Sequence, residues 1–183
     1  TGIELDGEGA PMIKDPAKKE DRWSGTTLPW MSTGYECRMT PLQILRFYNA
    51  VANDGKMMKP YIVSEITREG RTIKRCRPEV VDSRIASSTT IKKAQALLLG
   101  VVEKGTAKEY KPDHYMFSGK TGTARTDYYD PNSPRKQYMA SFAGYFPSEK
   151  PKYSCIVMVY DPVVGGFYGS TSALPIFRKI ADR

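Results

Sequence analysis

Tyr115-Met116-Phe117-Ser118-Gly119-Lys120-Thr121-Gly122-Thr123-Ala124, then Gln137-Tyr138-Met139-Ala140-Ser141-Phe142-Ala143-Gly144-Tyr145-Phe146, then Tyr153-Ser154-Cys155-Ile156-Val157-Met158-Val159-Tyr160 decide the fold. The middle run alternates: Tyr138, Ala140, Phe142, Gly144 and Phe146 fall on one face, and Met139, Ser141, Ala143 and Tyr145 on the other. Period two over that length is a strand signal. Pro147 to Lys152 is a short turn, so the second and third runs pair antiparallel. A longer polar loop, Arg125 to Lys136, joins the first two.

Helical periods surround these strands. Thr40-Pro41 opens a helix, because Thr caps well and Pro suits the first turn. Leu42, Leu45, Phe47, Tyr48, Val51 and Ala52 give it an apolar face, and Gly55 ends it. Ser88 to Lys104 repeats the pattern with Ile91, Ala94, Leu98 and Val101, closed by Gly105. Thr171 or Ser172 is expected to cap a last helix with Ala173, Ile176, Phe177 and Ile180 facing inward, Pro175 lying in its first turn. Tyr61 to Ile66 and Thr72 to Cys76 flank Arg68-Glu69-Gly70-Arg71 as a β-hairpin. Tyr61 to Arg75 is a candidate for a partner-facing role beside the plainer structural one.

The expected class is α+β, an antiparallel sheet of three C-terminal strands covered by helices. Residues 1–183 read as one unit: an irregular segment over 1–39 anchored by Trp23 and Trp30, helices and hairpin over 40–105, and strands with a final helix over 106–183.

Composition excludes several classes. Hydrophobic residues make up 40% and charged residues 26% of 183, the mixture of a globular domain. The longest apolar run, Ala96 to Val102, is too short to span a bilayer. No secretory signal opens the chain, and a start at Thr1 implies a processed or truncated product. The net charge of +8 is scattered and mixed with acids, which argues against a nucleic-acid specialist. Cys37, Cys76 and Cys155 stand far apart with a lone His114, so no metal site is expected. His114 reads as a surface residue rather than a general base.

Ser118 to Ala124 carries the chemistry. As a strand it puts Lys120 and Gly122 on one face and Thr121 and Thr123 on the other. Gly122, lacking a side chain, lets a ligand approach the backbone. Such a strand can take an extended peptide through its main chain, with an ammonium and hydroxyls near a terminal carboxylate. A cation about 4 Å from a carboxylate gains about 4 kcal/mol at an effective dielectric of about 20, so Lys120 helps most in a partly closed groove. The segment is not a phosphate loop, because His114 stands where that motif needs an upstream glycine.

Lys-Thr-Gly is one of three signatures of penicillin-interacting serine enzymes, beside Ser-x-x-Lys and Ser-Asp-Asn. Beyond it the chain resembles the C-terminal part of a class B penicillin-binding protein transpeptidase domain, most closely the cell-division type. The likeness rests on Thr1 to Glu8, Gly34-Tyr35, Thr40 to Gln43, Asn49 to Lys56, Lys59-Pro60, Val101 to Ala107, Lys120 to Thr123, Ala140 to Pro147 and Gly166 to Ser170, in that order. The resemblance implies a partial β-lactamase/transpeptidase-like fold. It implies an extracytoplasmic, membrane-anchored bacterial parent that cross-links peptidoglycan stem peptides by serine acyl transfer, reacts with β-lactams, works with division proteins and needs no cofactor.

It also implies that Lys120, Thr121, Gly122 and Thr123 line the acyl-donor groove, with the Thr123 N–H as one of two oxyanion-hole donors. One such donor is worth about 3–4 kcal/mol in related chemistry. Tyr128 and Tyr129 are candidates for a groove wall, against the plainer reading of a solvated loop, and Arg125 for added positive charge. The pattern departs at the nucleophile. The only Ser-x-x-Lys is Ser133-Pro134-Arg135-Lys136, in the polar loop and out of order, and no Ser-x-Asn occurs. The expectation is a chain inactive by itself whose Tyr153–Tyr160 strand has lost a neighbour and self-associates or is covered by the N-terminal segment. A non-catalytic binding or sensor module and a β-lactamase-like hydrolase are the alternatives.

Overall fold

The computed structural model describes residues 1–126, 132 and 135–183. In chain order the elements are β1 Met12–Ile13, α1 Thr27–Ser32, β2 Cys37–Arg38, α2 Pro41–Ala52, β3 Met57–Met58, β4 Glu65–Arg68, β5 Arg71–Arg75, β6 Val80–Asp82, α3 Ser88–Glu103, β7 Ser118–Arg125, β8 Tyr138–Phe146, β9 Tyr153–Tyr160 and α4 Gly169–Ala181. Short 3-10 turns occupy Lys19–Asp21 and Lys108–Tyr110.

The main sheet is β7-β8-β9, antiparallel throughout. Lys120 lies opposite Ala143, Gly122 opposite Ser141 and Thr123 opposite Ala140. Both faces of β8 are covered. Phe142 and its neighbours meet the end of α3 and the inner stripe of α4, forming a cluster of Val102, Ala107, Phe117, Phe142, Ala173, Leu174 and Phe177. The opposite face, with Tyr145 and Ala143, lies against α2, which reaches the sheet through Asn49 Nδ2 donating to Ser154 Oγ at 3.1 Å. The alternation of β8 therefore separates two apolar layers rather than a core from solvent.

Local chemistry explains the helix ends. Thr40 Oγ1 accepts from the Gln43 N–H at 3.2 Å while Gln43 Oε1 accepts from the Thr40 N–H at 2.9 Å, a complete capping box. Ser87 caps α3 through the Thr90 N–H at 3.1 Å.

Several expectations need correction. The last helix begins at Gly169, behind Tyr168, without a side-chain cap, so neither Thr171 nor Ser172 caps it. Its buried stripe is Ala173, Leu174 and Phe177, whereas Ile176 and Ile180 are 44% and 45% exposed. Ile176 and Ile180 fit a helical stripe as well as Leu174 does; the phase was set by where the Phe117–Phe142 layer lies. Phe47 is likewise exposed on α2. The hairpin ladder is confined to β4 and β5, shorter than the flanking β-rich runs. Residues 1–39, read as irregular, hold α1 and a two-residue β1–β2 pairing braced by Lys14 Nζ on Glu36 Oε2 at 2.7 Å.

Candidate active site

Among the described residues β7 is an edge strand, with β8 on one side only. The ladder alternates, so every second residue points its N–H and C=O toward β8 and the others point outward. The Thr126 N–H donates to Gln137 O at 2.9 Å, which assigns the even residues of β7 to the ladder. Gly119, Thr121, Thr123 and Arg125 therefore present their main-chain groups on the free edge. Two contacts agree: Lys120 Nζ donates to Thr121 O at 3.0 Å, and the Arg125 N–H donates to Tyr35 Oη at 3.2 Å.

Side chains converge on the same edge from opposite faces. Lys120 is exposed on the α2 face beside Gly122, and its ammonium folds over the edge to Thr121. Thr121 and Thr123 lie on the face roofed by α3 and α4. Thr121 Oγ1 shares a hydrogen bond with Thr106 Oγ1 at 3.2 Å, just past α3. Thr123 Oγ1 accepts from the Gly169 N–H, the first of α4, at 3.1 Å. That bond fixes the Thr123 rotamer and leaves its O–H free to donate. It also sets the positive end of the α4 dipole against the edge, adding to the field of Lys120.

Two glycines fit the layers together. A Cβ on Gly169 would lie 2.4 Å from Ser141 O and 2.6 Å from Gly122 O, so only glycine lets α4 seat on the sheet there. A Cβ on Gly122 would lie 2.5 Å from Ser141 Oγ. A side chain at 122 would therefore displace the Ser141 hydroxyl, whereas glycine leaves it in place. Beneath the strand, Tyr145 is buried, which pushes its phenol up from the usual range.

The sequence-predicted residues Lys120, Thr121, Gly122 and Thr123 all fall on this edge. Arg125 follows them, its N–H already engaged by Tyr35, whose ring packs edge-on against Trp30 at 5.1 Å. Tyr128, Tyr129 and Ser133 lie outside the described residues. His114 is exposed in the turn that precedes β7, at the end of the strand away from Thr123. Tyr35, Thr106 and Gly169 were not predicted as site residues. Each lies in a stretch that carried the resemblance, but no local spacing says that it touches β7. Among the described residues no group of three or more His, Cys, Asp or Glu is placed to hold a metal.

An outward-facing main chain, an ammonium, two tethered hydroxyls and a helix N-terminus suit an extended peptide ending in a carboxylate. The sequence profile of the penicillin binding protein transpeptidase domain matches residues 1–182. The chain belongs to the penicillin-binding protein transpeptidase family. Within that family it is 32% identical over 198 residues to penicillin-binding protein PbpB of Mycolicibacterium smegmatis, covering 100% of this chain and 29% of that protein. It is 26% identical to the probable peptidoglycan D,D-transpeptidase PenA of Neisseria flavescens, covering 87% of this chain and 37% of that one. Penicillin-binding protein 3 of Mycobacterium tuberculosis, solved in complex with aztreonam, superposes with a TM-score of 0.80 at 29% identity, covering 99% of this chain and 41% of that structure. The chain thus spans well under half the length of these relatives. The α+β sheet with its covering helices is the β-lactamase-like fold of those transpeptidase domains.

Proposed function

We propose that this chain supplies the carboxylate-binding half of a serine-type peptidoglycan D,D-transpeptidase site. Lys120, Thr121 and Thr123 hold the terminal carboxylate of a stem peptide or of a β-lactam, and Gly122 lets that ligand lie close to the strand. The Thr123 N–H is one of the two oxyanion-hole donors; the second comes with the nucleophile. One observation carries the reading: Lys120 to Thr123 form a free β-edge whose outward groups include the Thr123 N–H.

Acyl transfer needs a serine hydroxyl that attacks the carbonyl and forms an ester, releasing the terminal residue, before an amine takes the acyl group. No Ser-x-x-Lys precedes Lys120 in the chain, and Ser133-Pro134-Arg135-Lys136 follows the Lys120 motif, out of order and with prolines at 131 and 134. The 183-residue chain is therefore inactive alone. The longer protein works outside the cytoplasm, anchored in the membrane and allied to division proteins, as the resemblance implies. Among the described residues the outer side of β9 has no strand beside it, which supports self-association through Tyr153–Tyr160 in the isolated chain.

Labelled penicillin tests the assignment. The isolated chain should take up no label. A longer protein carrying the preceding residues should be acylated, about a hundredfold less efficiently after Lys120→Ala, the loss of one charge-assisted contact of about 3 kcal/mol. A covalent adduct on the isolated chain, at Ser133 or elsewhere, overturns the reading, as does full reactivity of the Lys120→Ala protein.

A further inference from the structure

The β4–β5 hairpin is solvent-exposed at every residue of both strands, and among the described residues its two-stranded sheet joins no other. An isolated two-stranded ribbon is marginal in water. Seven large apolar side chains between Tyr61 and Val81 are exposed on and around it: Tyr61, Ile62, Val63, Ile66, Ile73, Val80 and Val81.

Charge is distributed unevenly on this ribbon. β5 reads Arg71-Thr72-Ile73-Lys74-Arg75, with Arg77 just beyond, and contains no acid. Arg75 pairs with Glu65 across the hairpin at 3.4 Å. Among the described residues, no carboxylate makes an ion pair with Lys74 or Arg77. The Cys76 N–H donates to Ser64 O at 2.8 Å, so alternation turns the main-chain groups of Arg75 and Arg77 to the outer edge of β5. At the root of the hairpin the two chains part between that bond and the Lys59 N–H to Glu79 O bond at 2.9 Å. A cavity of about 240 Å³ opens there, lined by Tyr61, Ile62 and Val63, by Lys74 to Arg77, and by Lys59 with Glu4 and Glu79, so its cations outnumber its two carboxylates.

We infer that the outer edge of β5 is a docking site for an acidic, extended segment of a partner protein. The segment adds as a strand beside Arg71–Arg77, sets carboxylates against Lys74 and Arg77, and places one apolar side chain in the cavity at the hairpin root. Main-chain pairing gives such a contact its affinity, while charge gives it orientation and partner choice. The site is separate from the β7 edge and stands whether or not that edge binds stem peptides. Basic residues on an edge strand also serve simply to prevent aggregation, and the experiment separates the two roles.

A fluorescent peptide alternating glutamate with valine is titrated with the 183-residue chain, beside a lysine–valine counterpart and an acidic version N-methylated at alternate amides. The acidic peptide should bind and weaken as salt rises, and Lys74→Glu/Arg77→Glu should cut its affinity about tenfold or more. The lysine and N-methylated peptides should bind at least tenfold more weakly. Both substitutions are on exposed positions, and an unchanged melting curve confirms that the variant is folded. The inference is overturned by no binding of the acidic peptide, by equal binding to the double variant, by equal binding of the N-methylated peptide, or by a second copy of the chain that occupies β5 and excludes the peptide.

Discussion

Gly169→Ala is the sharpest test of how α4 and the β7 edge are joined. The new methyl would sit 2.4 Å from Ser141 O, 2.6 Å from Gly122 O and 3.1 Å from Gly122 N, all backbone atoms of paired strands. Carbon needs about 3.5 Å to such neighbours, so the helix start must retreat by about 1 Å. Overpacking of this kind costs about 1–3 kcal/mol. The retreat also stretches the Gly169 N–H to Thr123 Oγ1 bond, worth about 1 kcal/mol. Alanine's better helix propensity returns at most about 1 kcal/mol. The net loss is about 2 kcal/mol, or about 4–8 °C in Tm for a chain of this size. Gly100→Ala is the matched control. It lies inside α3 with no atom within 4 Å of the added Cβ, so it should stabilise by about 0.5–1 kcal/mol. Urea and thermal unfolding of the three proteins decide the matter. A Gly169→Ala protein as stable as the parent would refute the seating argument, and a destabilised Gly100→Ala protein would refute the propensity term.

Other outcomes follow from single contacts. Thr40→Ala removes half of the capping box on α2 and should cost about 1 kcal/mol, read as a lower urea midpoint with an unchanged slope. Phe177→Ala should cost about 3–5 kcal/mol, because that fully buried ring lies 4.6 Å from Phe142 and 5.4 Å from Phe117 between centroids; a loss under about 1 kcal/mol would mean that α4 is not seated as described. Burial pushes the Cys155 thiol up, so it should be the slowest of the three cysteines to alkylate at mildly alkaline pH by peptide mapping. The same shift has a stability sign. The folded chain holds this proton more tightly than the unfolded one, so its contribution is complete below the ordinary thiol range and is lost as pH rises through the folded value.

Much of the architecture was legible in the chain itself. Period-two alternation in Tyr138–Phe146, Thr40-Pro41 with Gln43 at the head of a helix, and the short Pro147–Lys152 turn are local signals read over a few residues. In α3 the expected stripe of Ile91, Ala94, Leu98 and Val101 holds at Ile91, but the fully buried valine is Val102 and Val101 is only partly buried. Lys120 to Thr123 stood out because a glycine flanked by hydroxyls and a lysine has few uses inside a strand.

Other features needed the third dimension. The inward phase of α4 was misread because Ile176 and Leu174 are equally apolar, and only the position of the aromatic layer selects between them. The hairpin's full exposure could not be read from its β-rich residues, which describe pairing and not what lies above it. The role of Gly169 depends on contacts 28 and 47 residues away, at Ser141 and Gly122. Short-range covalent geometry thus determined which segments are helix or strand and which residues carry charge. The packing of one layer on another, which no stretch of sequence contains, decided that Thr106, Tyr35 and α4 converge on one strand edge.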